Sequence, residues 1–123
     1  MNDASERVAD LKEIVKRFSE ERDWNQFQGA KDLAIGIVTE SSELLEIFRF
    51  KSESKVEALF DHESSAKSIR DELADIFYFA LRLAQKYDID VSNSLREKIQ
   101  QNERKYPIEK ARGSNKKYTE TQH

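Results

Sequence analysis

LAIGIVTESSELLEIFRF, residues 33–50, is the stretch from which the fold follows. Leu33, Ile37, Leu44 and Ile47 recur at i, i+4, i+11 and i+14, one face of a 3.6-residue period, so the stretch is predicted to be a helix. Glu40 takes the vacant i+7 place on that face, and Glu43, three residues on, points the same way.

A second stretch, Ile69–Ala84, repeats the pattern. Ile69, Ile76, Phe79 and Leu83 make the apolar stripe, Glu72 stands within it, and Asp75 follows three residues later. An unpaired ionised carboxylate in a dry core costs on the order of several kcal/mol. Four together repel one another and raise each other's pKa. The pattern therefore asks for positive charge. Either the acids lie on solvated seams and pair with Lys and Arg, or facing helices build a metal site from them. All-oxygen ligands suit a hard ion, Mg2+ or Mn2+. A di-iron centre is the rival, but its usual Glu-x-x-His ligands have no counterpart at these positions.

Composition narrows the function. At 123 residues the chain is expected to be one domain, large enough for a core but small for burying two such helices alone. Three glycines and one proline argue against a loop-rich or all-β fold. A net charge of −3 gives no broad basic footprint for a nucleic-acid polymer. The absence of cysteine removes disulfides, thiolate metal sites and cysteine nucleophiles, and is compatible with a reducing cytoplasm. No apolar run is long enough for a membrane span, and the N-terminus lacks a signal-peptide core.

Taken in order, Asp3–Glu21 is predicted to be the first helix, with Asp3 and Glu6 at capping-box spacing and Val8, Leu11, Val15 and Phe18 as its stripe. Residues 22–30, RDWNQFQGA, break the period, and Trp24 and Phe27 are either a plug over the core or a stacking surface. The second helix runs Lys31–Phe50, and Gly36 within it permits close packing. Residues 51–66 are a polar connection with one short helical turn, where His62 is expected to be solvated. The third helix, Ser65–Tyr87, carries only Arg82 as a charge between Ile76 and Ala84. Being apolar on nearly every side, it is expected to be buried against a second copy of the chain. Asp90 or Ser92 caps a fourth helix that ends at about Lys105, before Pro107. The tail is expected to be extended or mobile. The fold expected is all-α, a four-helix bundle completed by oligomerisation, with residues 1–107 as the domain and 108–123 as a polar tail.

A hard-cation cluster with few histidines suits phosphate chemistry. Lys31, Lys98, Lys105, Arg112, Lys116 and Lys117 are candidates to balance phosphate charge, though each alone reads first as a surface charge. Glu46 is either a fifth acid beside the site or a helix-face residue.

The two carboxylate pairs, Glu40–Glu43 and Glu72–Asp75, also resemble the signature of the MazG-like, all-α nucleoside triphosphate pyrophosphohydrolases, on the side of the small dCTP pyrophosphatases. The likeness extends over FSEERDWNQF (18–27), ESSELLEIFRFKSE (40–53), RDELADIFYFALRLAQKYDID (70–90) and KIQQNERKYPIEKARGSNKKYTE (98–120). The carboxylate pairs alone are weakly specific; the tail pattern makes the resemblance strong. It implies Mg2+-dependent hydrolysis of a nucleoside triphosphate, most naturally dCTP or a modified dCTP, to the monophosphate and pyrophosphate, as nucleotide-pool house-cleaning. Glu40, Glu43, Glu72 and Asp75 would be metal ligands and the catalytic acids. Asn102, with Lys98 and Tyr106 beside it, would hold the nucleotide. Arg112, Lys116, Lys117 and Tyr118 would lie near the phosphates in a lid. Trp24 and Phe27 would line the base pocket. The family also implies a homodimer or homotetramer with sites between subunits.

Two departures bear on base preference. Phe50 stands where relatives usually carry Trp, and Gln28 where they often carry His. The alternatives are a broad-range or dUTP-preferring hydrolase of the same fold, or a non-catalytic oligomeric helical module, which would show neither metal dependence nor a nucleotide effect on stability.

Overall fold

The structure is a computed structural model that describes residues 1–117, and its regular elements there are all helical. They are α1 (Val8–Glu21), α2 (Ala30–Phe48), α3 (Glu53–Ala58), α4 (Glu63–Lys86), α5 (Val91–Lys105) and α6 (Ile108–Ala111). Two 3-10 turns, Asn25–Phe27 and Leu59–Asp61, lie in the connections. The four long helices are those the periodicity predicts. Backbone contacts divide the chain into two compact units, Met1–Ile89 and Asp90–His123.

In the first unit α2 packs chiefly on α4, and α1 packs on α4 beside it. Leu33 is 1% exposed and Ile69 is buried, so one member of each predicted stripe anchors the core. Gly36 sits where α2 crosses α4: a Cβ there would lie 2.4 Å from the Phe79 ring. This is the close approach that an interior glycine permits at some cost in helix propensity.

α1 begins later than predicted. Asp3 and Glu6 do not cap it. The Asn2 carbonyl and side chain instead close a turn with Ala4 and Ser5. The cap is made at Arg7, whose backbone N–H donates to the Asp10 carboxylate at 3.0 Å while its guanidinium pairs with the same group. The local pair outcompetes the earlier box because one carboxylate satisfies both an orphan amide and a cation.

α1 ends in a Schellman motif. Trp24 N–H donates to Ser19 O, Asp23 N–H donates to Glu20 O, and Asp23 takes a left-handed φ of 54°. The motif folds Trp24 back onto Phe18, ring centroids 5.5 Å apart and edge to face. α4 ends in the same way, with Ile89 N–H on Ala84 O and Asp88 at φ 54°.

On α4, Leu73 and Phe77 are exposed in the single chain, and the most buried residue of the helix is Arg82, at 1%, the one charge between Ile76 and Ala84. Among the described residues no helix is long and apolar enough to cross a membrane.

In the second unit, Asp90 caps α5 as predicted, its carboxylate accepting from Asn93 N–H at 2.9 Å. The tail is not extended from residue 108. Pro107 stops α5 and then starts α6, where its missing N–H costs nothing and its carbonyl accepts from Lys110 and Ala111.

Candidate metal and nucleotide site

α2 and α4 bring the predicted acids together. One carboxylate oxygen from each of Glu40, Glu43 and Glu72 lies within 4.8 Å of the others. Glu40 and Glu72 are half-buried and Glu43 is exposed, so the cluster opens to solvent on one side. The ion pairs on these helices lie elsewhere: Arg49–Glu46, Lys67–Asp71 and Arg70–Glu63. Glu46 is thus a helix-face residue, paired at 2.7 Å.

Burial, reinforced by the Glu43 and Glu72 side chains and the charges of Glu43 and Asp75, pushes Glu40 up to about 7. Glu72 is raised as well, by burial first and then by Glu43. Among the described residues, Glu40 Oε2 and Glu72 Oε2 are buried without a hydrogen-bond partner. Such atoms cost free energy unless something satisfies them. A hard divalent cation fits: the donors are all carboxylate oxygens, two are orphaned, and the charge to be neutralised is negative. Glu40, Glu43 and Glu72 could hold it. Asp75 stands one step out, acting on Glu40 and Glu72 through its charge.

Next to the acids opens a cavity of about 480 Å³, with Glu40 and Asp75 on one side and Phe18, Trp24, Tyr78 and Phe79 as aromatic walls. Phe18–Tyr78 and Tyr78–Phe79 meet edge to face at 5.8 and 5.1 Å, so the walls brace one another. A second cavity of about 280 Å³ shares Trp24, Tyr78 and Phe79 and adds Phe27, Gln28 and Asp32. Trp24 and Phe27 are therefore pocket walls, not a plug: Trp24 is 40% and Phe27 66% exposed.

The other predicted residues are placed as follows. Lys31 is exposed near the start of α2. In the second unit, Lys98 is exposed and Asn102 half-buried on α5, and Tyr106 N–H donates to Asn102 O at 2.8 Å. Arg112, Lys116 and Lys117 follow α6 and are exposed. Tyr118 lies outside the described residues. His62 is exposed at the start of α4.

Sequence reasoning missed what stands behind the pocket. Arg82, Gln28 and Ser19 are buried and linked through Tyr78. The one available signal was a single cation on an otherwise apolar helical segment.

A sequence model of the MazG-like family matches residues 35–121. Human dCTP pyrophosphatase 1 is 31% identical over 116 residues, covering 94% of this chain and 68% of that protein. The rat dCTP pyrophosphatase 1 is 30% identical over 113 residues, 92% of this chain and 66% of that protein. The chain thus spans about two thirds of the length of these relatives. A crystal structure of a pyrophosphatase from Archaeoglobus fulgidus DSM 4304 superposes with a TM-score of 0.76 at 29% identity, over 87% of this chain and 98% of that one. The helical fold and these likenesses are those of an all-α nucleotide pyrophosphohydrolase. The chain belongs to the MazG-like family and is similar to its dCTP pyrophosphatases.

Proposed function

We propose that this protein hydrolyses a (deoxy)nucleoside triphosphate to the monophosphate and pyrophosphate, with dCTP or a modified dCTP as the preferred substrate and Mg2+ as the cofactor. The observation that carries the proposal is the contact between two features: three converging carboxylates with orphaned buried oxygens, and an aromatic cavity that shares Glu40 with them. A flat base suits the aromatic walls, and a triphosphate bound through a cation suits the acids.

Glu40, Glu43 and Glu72, with Asp75, would hold Mg2+; Mn2+ would serve the same donors. The bound ion supplies charge neutralisation for the triphosphate and the leaving pyrophosphate and makes a water a better nucleophile. Phe18, Trp24, Tyr78 and Phe79 exclude water from the base side and orient the nucleotide. By their match to the family pattern, Asn102 with Lys98 and Tyr106 would hold the nucleotide and Arg112, Lys116, Lys117 and Tyr118 would lie near the phosphates; Lys31 is a further candidate to balance phosphate charge. Exposed apolar side chains on α2 (Ile35, Val38, Leu45) and on α4 (Leu73, Phe77) support assembly as a homodimer or homotetramer.

A second reading, a broad-range or dUTP-preferring hydrolase, is favoured by Gln28. Its amide oxygen accepts from Arg82 and its amide nitrogen donates to Tyr78, so one lone pair and one N–H of the buried amide are committed inside the fold. A panel of canonical and modified (d)NTPs separates the two. A preference for dCTP of tenfold or more in kcat/KM supports the first, and a flat profile or a dUTP preference supports the second.

A further inference from the structure

Arg82 is 1% exposed and surrounded by amides. Its Nε donates to Gln28 Oε1 at 3.0 Å, Nη1 to Gln85 Oε1 at 2.5 Å, and Nη2 to Asn25 Oδ1 at 3.0 Å. All three acceptors are neutral oxygens, so among the described residues this buried cation is held by directional bonds and not by a counter-carboxylate. One helical turn on, Lys86 Nζ donates to the backbone carbonyls of Asn25 at 3.0 Å and Gln28 at 2.5 Å. Two cations at i and i+4 of α4 therefore grip both ends of one four-residue turn, by side chain and by main chain.

The turn is the one that carries the pocket aromatics. It starts just after Trp24, includes Phe27 and ends at Gln28. Arg82 has only donors, so it fixes which way the Gln28 amide faces. Gln28 Nε2 must then point to the Tyr78 hydroxyl, 3.0 Å away. The Tyr78 hydroxyl shares a hydrogen bond with Ser19 Oγ, 2.5 Å away on α1, in which either oxygen can donate. The chain Arg82–Gln28–Tyr78–Ser19 ties α4, the turn and α1, and Trp24 and Tyr78 are walls of both cavities.

We propose that Arg82 is the positioning residue of the aromatic pocket: acting through Gln28 and Asn25, it holds the Trp24–Gln28 turn and the Tyr78 ring where the flat moiety of the substrate is taken up. The proposal rests on the reading of the site as a nucleotide site, and it assigns binding of the flat moiety to a network separate from the carboxylates. A fully satisfied buried network of this kind rigidifies what it holds, and a half-satisfied one does the opposite.

The chain has a single tryptophan, Trp24, so its fluorescence reports the turn without any turnover. The test compares the parent with Gln28→Leu, which removes both bonds of the amide, and Gln28→Glu, which keeps one oxygen for Arg82 and offers the other to the Tyr78 hydroxyl as acceptor. Acrylamide quenching of Trp24, helix content, Mg2+ dependence and steady-state kinetics with the best nucleotide are read for each. Gln28→Leu is expected to make Trp24 more quenchable and to raise KM on the order of tenfold, with kcat and the Mg2+ dependence little changed. Gln28→Glu is expected to restore the parental quenching. Parental quenching in folded Gln28→Leu, or a fall in kcat and Mg2+ dependence without a rise in KM, overturns the proposal. Should Gln28→Leu fail to fold, quenching in Gln28→Glu as high as in a denatured control overturns it too. If the parent turns over no nucleotide, the quenching comparison still decides the role of the network, and only the reading of the reaction fails.

Discussion

Gly36 on α2 and Phe79 on α4 are in contact so close that no side chain fits between them: a Cβ on Gly36 would lie 2.4 Å from one ring carbon and 2.5 Å from the next. The ring cannot simply swing away, because Tyr78 packs edge to face against it at 5.1 Å. The contact sets the spacing of α2 and α4, the helices that carry the acids. Gly36→Ala gains helix propensity but must push the helices apart, and overpacking wins, with a net loss of about 1–3 kcal/mol. Chemical denaturation measures the loss, and Mg2+ affinity is expected to fall with it as the carboxylates separate.

Glu43→Gln is expected to abolish pyrophosphate release while leaving the helices intact. It should also leave the metal-free protein no less stable, because it removes one cause of the raised pKa values of Glu40 and Glu72. Stabilisation by Mg2+ should disappear. Thermal melts with Mg2+ and with EDTA check all three; a mutant with near-parental turnover would remove Glu43 from the site.

Stability should depend on pH in a direction set by Glu40. Its folded-state pKa of about 7 lies above the usual 4.5, so the folded chain binds the proton more tightly than the unfolded chain. Metal-free protein therefore loses stability as pH rises from about 4.5 to 7 and levels off above. Mg2+ binding near pH 6.5 should release protons, because the cation needs the ionised carboxylate. Melts in EDTA across pH 5–8 test the first statement, and calorimetry in buffers of different ionisation enthalpy tests the second.

Phe50 follows α2 with a left-handed φ of 65° and an exposure of 91%. A bulky side chain is strained in that conformation, and its ring lies under the guanidinium of Arg49, 4.5 Å from the centroid. Phe50→Gly is expected to stabilise the fold by about 1 kcal/mol. If the ring serves the substrate or a partner copy, the same mutant raises KM or weakens assembly, readable by kinetics and analytical ultracentrifugation.

What could be read from sequence was what repeats locally. The stripe of Leu33, Ile37, Leu44 and Ile47 and the acids set within it obey a short period, so helices and carboxylates were both legible. The Asp90 cap was legible because it acts three residues away, on Asn93. The Arg82–Gln28 bond spans 54 positions and follows no period, so only Arg82's isolation hinted at it. The start of α1 was misplaced because two acidic caps, at Asp3 and Asp10, compete, and Arg7 decides between them. The turn at Ile108–Ala111 was missed because Pro107 ends one helix and begins another.

Pyrophosphate release from a panel of canonical and modified (d)NTPs, with Mg2+ and with EDTA, tests the central claim most directly. The account predicts Mg2+-dependent release, abolished by EDTA and strongest for dCTP or a close analogue. No release from any nucleotide by folded protein, with no stabilisation by Mg2+, would contradict it.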